Sequence, residues 1–222
     1  MNENTTNNIN NLELTEAQLD MLKEMGNIGS GHAITALSEL LNKNVEVSLT
    51  SVDIYTFWKV PDVFDNRNIE VVGIYSEIPV NSNLAIIQIF PKESILNLIN
   101  LLNNSNRKSL KDINTISDLD EFSYSIISEI GNILSGNYAS ALADLLSIKL
   151  IPKVPRIAID TLNAILNSVI AKYSQLIDYI LLINTKLIVS DLKLNGTICL
   201  IPNINILRSL FEILNIKYDL NL

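Results

Sequence analysis

Apolar residues recur at helical spacing in two long stretches. They predict one helix from about Thr15 to Leu41 and another from about Asp118 to Leu146. Thr15 with Gln18 three residues on resembles a capping box, which places the first helix start. Behind each long helix the pattern changes to short apolar or alternating runs that read as strands: Val45–Thr50, Val52–Lys59, Ile69–Ile78 and Leu84–Phe90, then Val154–Ile159, Leu166–Tyr173, Tyr179–Ser190 and Leu194–Ile201. A shorter helical pattern closes each series, about Lys92–Leu102 and Ile204–Leu214. Both follow a strand ending in proline, Pro91 or Pro202, a residue that suits a first helical turn. Asn103 to Ser117 is polar and asparagine-rich and reads as the joint between the two series.

The series are copies of each other. Leu22-Lys23-Glu24-Met25-Gly26-Asn27-Ile28-Gly29-Ser30-Gly31 reappears as Ile127-Ser128-Glu129-Ile130-Gly131-Asn132-Ile133-Leu134-Ser135-Gly136. Ala36, Leu37, Leu40 and Leu41 continue the match at Ala141, Leu142, Leu145 and Leu146. A second match, Leu84–Pro91 with Thr197–Pro202, follows in the same order at a slightly longer offset. Two matches in one order make duplication the reading. The chain is therefore expected to hold a flexible tail at 1–11 and a single domain at 12–222, made of repeat one at 12–105 and repeat two at 116–222. Helix, strands and helix twice over, with short connections, predicts an α/β (α+β) fold. Two helix–strands–helix repeats would be related by a pseudo-twofold, with long helices packed on a largely antiparallel sheet.

At 100° per residue, Asp20, Glu24, Asn27 and Gly31 fall in one stripe about 60° wide, with Leu22, Ala33 and Leu40 roughly opposite. Ser125, Glu129, Asn132 and Gly136 make the same stripe on the second long helix. Gly26, Gly29 and Gly131 lie on the inward face, where a missing side chain lets another helix approach closely. Gly31 and Gly136 lie on the outer stripe, where it leaves room for an outside partner. A helical glycine costs about 1 kcal/mol relative to alanine, so several together need a reason. A solvated face tolerates many residue types, yet Glu and Asn persist in both copies while Lys23 faces Ser128 and His32 faces Asn137.

Composition narrows the classes. The 222 residues are 48% hydrophobic, enough for a sizeable core. The net charge of −8, without a basic cluster, argues against nucleic acid and anionic membrane as partners. The single cysteine, Cys199, excludes an internal disulfide, and no Cys/His metal box is present. No uncharged apolar run reaches the roughly 20 residues of a membrane span. Met1 to Asn11 lacks the basic start and apolar stretch of a secretory signal, so the expected location is the cytoplasm.

With Glu-x-x-Asn duplicated on long helices, the chain resembles the chemotaxis phosphatase family of CheC, CheX and FliY. The family pattern is Asp or Ser, three residues, Glu, two residues, Asn, then 22 residues and Pro. Ser125, Glu129, Asn132 and Pro155 fit it in full; Asp20, Glu24 and Asn27 fit, with Thr50 at the last position. The resemblance runs from about Leu12 to Leu214, and two sites in one chain of this size are similar to the CheC type. It implies a CheC-like fold and hydrolysis of the phospho-aspartate of the response regulator CheY. Asn27 and Asn132 would orient the attacking water, and Glu24 and Glu129 would pair with the regulator's lysine. Asp20, Gly31, Ser125 and Gly136 would border the partner. The chain would need no cofactor or metal of its own, because the regulator brings Mg2+. The resemblance also implies CheD, the receptor deamidase, as a second partner, and a monomeric state without membrane insertion.

Other readings compete. The glycines of Gly26–Gly31 superficially look like a nucleotide loop, but such a loop must follow a strand and open a helix, and these lie inside a helical pattern. His32 reads as a bystander, and Cys199, Phe57 and Trp58 as core. The rival of a different class is a mainly non-catalytic adaptor that binds CheD and phosphorylated CheY, which would not need the Glu/Asn pair twice.

Overall fold

The structure, a computed structural model, describes residues 14–64, 66–79, 84–102, 113–173 and 179–215. The tail expected at 1–11 and residues 103–112 of the expected joint lie outside them. The elements run α1 (Glu16–Leu41), β1 (Val45–Thr56), a 3-10 turn (Phe57–Val63), β2 (Glu70–Ile78), β3 (Leu84–Pro91), α2 (Lys92–Leu102), a 3-10 turn (Ile116–Asp118), α3 (Glu121–Leu146), β4 (Arg156–Thr161), α4 (Leu162–Tyr173), β5 (Tyr179–Val189), β6 (Leu192–Ile201) and α5 (Ile204–Ile213). Thr15 forms the capping box with Gln18: each residue's side chain accepts from the other's backbone N–H, at 3.3 and 2.8 Å. Asp120 caps α3 by accepting from the Ser123 N–H at 2.8 Å, so that helix starts three residues later than the sequence pattern suggested.

Among the described residues, the six strands form one antiparallel sheet in the order β1-β5-β6-β3-β2-β4. The order is palindromic: exchanging the halves reproduces it, with the pseudo-twofold at the β3/β6 junction. The first strand of each half has crossed over, β1 pairing with β5 and β4 with β2. Each half's sheet is completed by a strand from the other.

The sheet buries both faces, unequally. The larger core lies under α1, α2, α3 and α5, and includes Leu22, Met25, Ile74, Ile86, Phe90, Ile130 and Leu210. A smaller one lies under α4 and the first 3-10 turn, and includes Phe57, Ile87, Leu162, Leu166, Tyr173 and Cys199. Ile86 and Phe90 of β3 face one core while Ala85, Ile87 and Ile89 face the other, so this central strand reads as an apolar run broken only by Gln88. Among the described residues, no helix is long and apolar enough to cross a membrane.

Several expectations need correction. Leu166–Tyr173 is not a strand but most of α4. The residues it buries, Leu162, Ile165, Leu166 and Tyr173, follow helical spacing, and the Thr161 hydroxyl accepts from the Ala164 N–H at 3.2 Å at its start. The β-branched Val169 and Ile170 gave the run its strand-like composition. Val45–Thr50 and Val52–Lys59 are one strand with a bulge between Leu49 and Ser51, ending at Thr56. The chain then enters a 3-10 turn, which buries Phe57 and turns Trp58 outward, 61% exposed, so Trp58 is not core. Pro91 ends β3 and Pro202 precedes the N-cap Asn203, so neither proline occupies a first helical turn.

Candidate functional site

The two long helices display their polar stripes to solvent. Asp20, Glu24, Asn27 and Gly31 are exposed on α1; Ser125, Glu129 and Asn132 are exposed on α3, and Gly136 is half-buried. A Cβ built on Gly31 or Gly136 meets no heavy atom within 4 Å among the described residues, so both leave open space beside their Asn. Asp20 pairs loosely with Lys23 at 3.8 Å, within its own helix. Apolar side chains flank both stripes: Met21 and Ile28 on α1, Phe122 and Tyr124 at the start of α3, all 38–44% exposed. A polar centre with apolar neighbours on a rigid helix suits docking of another protein. The sequence reading did not single these four out, although Met21 and Ile28 stand seven apart beside the stripe.

The inward glycines work differently from one another. Gly29 gives room to Tyr138 of α3, a helix–helix approach as expected. Gly26 instead accommodates Leu49 of β1, and a Cβ on Gly131 would run into Ile74 of β2. Those two seat the long helices on the sheet, not on another helix. Each brings its motif's helical turn down onto a strand.

Beneath the motifs lie buried polar groups that the sequence reading passed over. Under Asn27, the Ser30 hydroxyl donates to the Gly26 carbonyl at 2.8 Å and bonds the Tyr138 hydroxyl at 2.8 Å. Burial pushes the Tyr138 phenol up to about 12, so it stays protonated as a hydrogen-bonding group. Under Asn132, the Gln88 amide of β3 donates to the Gly131 carbonyl at 2.8 Å and to the Ser135 hydroxyl at 2.7 Å, and Ser135 donates to Ser76 at 2.7 Å. Ser30 and Ser135 were visible as a matched pair in the repeat. Their partners are not matched in the other copy: Tyr138 stands against Ala33, and Gln88 against Cys199.

The last position of the family pattern also differs between the halves. Pro155 is buried just before β4, at the point where the strand's pairing begins. Thr50 sits in the bulge of β1, skipped by the pairing register, and its hydroxyl donates to the Asn184 carbonyl at 3.0 Å. Both residues thus occupy a place where the ladder does not require a backbone donor, which is where proline is tolerated.

Cys199 is buried and its thiol is pushed up to about 12, far from the reactive thiolate form. His32 is exposed on α1. Among the described residues, no three His, Cys, Asp or Glu side chains gather as a metal site would require. What the helices present is a carboxylate and an amide, one turn apart, on each of two rigid supports.

The model of the CheC-like family matches residues 18–48 and 122–159, the two segments that carry the stripes and the strands after them. Over those two segments the chain is similar to the CheC-like family. It is 28% identical to the CheY-P phosphatase CheC of Bacillus subtilis over 78% of this chain and 81% of that protein. It is 27% identical to the flagellar motor switch phosphatase FliY of the same organism, over 65% of this chain and only 36% of that longer protein. The crystal structure of Thermotoga maritima FliY has the same fold, with a TM-score of 0.66 at 19% identity, covering 93% of this chain and 100% of that one.

Proposed function

We propose that this chain is a phosphatase acting on the phospho-aspartate of a response regulator, phosphorylated CheY. The observation that carries the reading is the doubled, solvent-facing Glu/Asn pair: Glu24 with Asn27 and Glu129 with Asn132, each beside an open glycine. The relatives named as phosphatases supply the substrate class.

The chemistry asks little of the chain. Water attacks phosphorus, the bond from phosphorus to the aspartate oxygen breaks, and the aspartate leaves as a carboxylate. The water's proton passes to the departing phosphate or to solvent. Such a transfer is accelerated mainly by positioning and charge stabilisation. An amide both donates and accepts, so Asn27 or Asn132 can hold the water in line, as a glutamine does in small GTPases. Glu24 and Glu129 anchor the regulator through its active-site lysine. Asp20, Ser125, Gly31 and Gly136 border the contact, and the Mg2+ belongs to the regulator.

Glu129→Lys tests the anchoring role. It sets like charge against the regulator's lysine and is expected to weaken binding through the second site at least about tenfold, measured by titration of the phosphorylated-state mimic onto an Asn27→Ala, Glu24→Ala background. Unchanged affinity removes that role from Glu129.

A further inference from the structure

The two sites are held by different devices, and the difference points to a residue that the two copies do not share. The peptide linking Gly131 to Asn132 presents its carbonyl to the sheet. Gly131 carries no Cβ, so α3 lies against Ile74 of β2, and this brings the carbonyl to 2.8 Å from the Gln88 amide nitrogen. The same nitrogen donates to Ser135, and Ser135 to Ser76, so β2, β3 and α3 are joined in one chain of hydrogen bonds. Gln88, Ser76 and Ser135 are all fully buried. Among the described residues the Gln88 oxygen has no hydrogen-bond partner, an expensive arrangement in a core that is otherwise largely apolar. A leucine or methionine would fill the same space without that cost. The corresponding carbonyl in the first half, that of Gly26, is bound by Ser30 of its own helix, and Ser30 is bound by Tyr138 of α3. Among the described residues no strand side chain takes part there.

We infer that Gln88 is a positioning residue for the second site alone, fixing the helical turn that aims Asn132, while Tyr138 does the corresponding work for Asn27. The inference rests on the proposed phosphatase role for its kinetic readout, but not for its structural one. A misplacement of about 1 Å at a positioned group can cost up to about a hundredfold in rate.

The test uses the two sites as controls for each other. Gln88→Met is placed in an Asn27→Ala chain, where only the second site acts, and in an Asn132→Ala chain, where only the first does. Tyr138→Phe is placed in the same two backgrounds. Expected is a drop of about tenfold in kcat for phosphate release by Gln88→Met with the second site only, under about twofold with the first site only, and the reverse for Tyr138→Phe. General loosening of the core would lower both backgrounds alike, and that result overturns the inference. The side-chain amide resonances of Asn27 and Asn132 are followed in parallel in the full chain. Gln88→Met should shift or broaden Asn132 and leave Asn27 in place; equal response of both, or of neither, again overturns it. If neither background releases phosphate at all, the phosphatase reading fails, and the resonances still decide whether Gln88 positions Asn132.

Discussion

Alanine at both Asn27 and Asn132 is expected to abolish the proposed acceleration of phosphate release from phosphorylated CheY and to leave the fold intact. Both side chains point to solvent from the middle of long helices, and exposed substitutions of this kind usually change stability by about 0.5 kcal/mol or less. Alanine is also the better helix former. The loss in activity therefore cannot be traced to unfolding, which a thermal melt would verify. Removing one preorganised hydrogen-bonding group from an active site costs on the order of a hundredfold to a thousandfold in rate. Each single variant keeps one working site, so each should retain a substantial fraction of the activity, and only the double variant should fall to the regulator's own rate. A double variant with full activity would place the chemistry elsewhere.

The glycines of α3 predict effects of opposite sign from the same substitution. Gly131→Ala drives a Cβ into Ile74, whose Cγ2 is anchored to a buried strand and cannot swing away as the end of a long side chain could. Overpacking of this kind costs about 1–3 kcal/mol. In a domain of this size that is a fall of about 2–4 °C in Tm for each kcal/mol. The helix must also lift from β2, which loosens the Gly131 carbonyl from Gln88, so second-site activity should fall along with stability. Gly136, five residues on, has nothing among the described residues within 4 Å of its absent Cβ, and alanine there should stabilise the helix by up to about 1 kcal/mol. Gly136→Gln should also leave the fold intact, yet fill the space left beside Asn132 and reduce release through that site. Stability and activity moving apart at Gly136 and together at Gly131 separates a glycine kept for a partner from one kept for the core.

The long helices, the closing helices and most strands were legible because their periodicity is strong and the duplication let each half check the other. The outward stripe was legible for the same reason: two copies of Glu-x-x-Asn at one spacing fix a helix face. The run Leu166–Tyr173 was misread because its β-branched residues outweighed a helical spacing that becomes plain only from Leu162 onward. Trp58 was misread because a 3-10 turn replaces the strand that would have carried it inward. The strand exchange could not be read at all: which half β1 and β4 join is decided by pairing across more than 80 residues, and neither strand's pattern encodes its partner. Gln88 was hidden similarly. It looks like a polar interruption in an apolar strand until α3 is laid over it and its amide finds the Gly131 carbonyl.

On the proposed reading this chain turns over a phospho-aspartate and does not merely bind it. The direct measurement is the decay of phosphorylated CheY with the chain present at about one-tenth of its concentration, with and without CheD. Repeated turnover, so that each chain clears many regulator molecules, and its loss in the Asn27→Ala, Asn132→Ala variant, is the predicted result. Decay no faster than the regulator's own, with and without CheD, while the chain still binds CheY, would contradict the phosphatase role and leave the adaptor in its place.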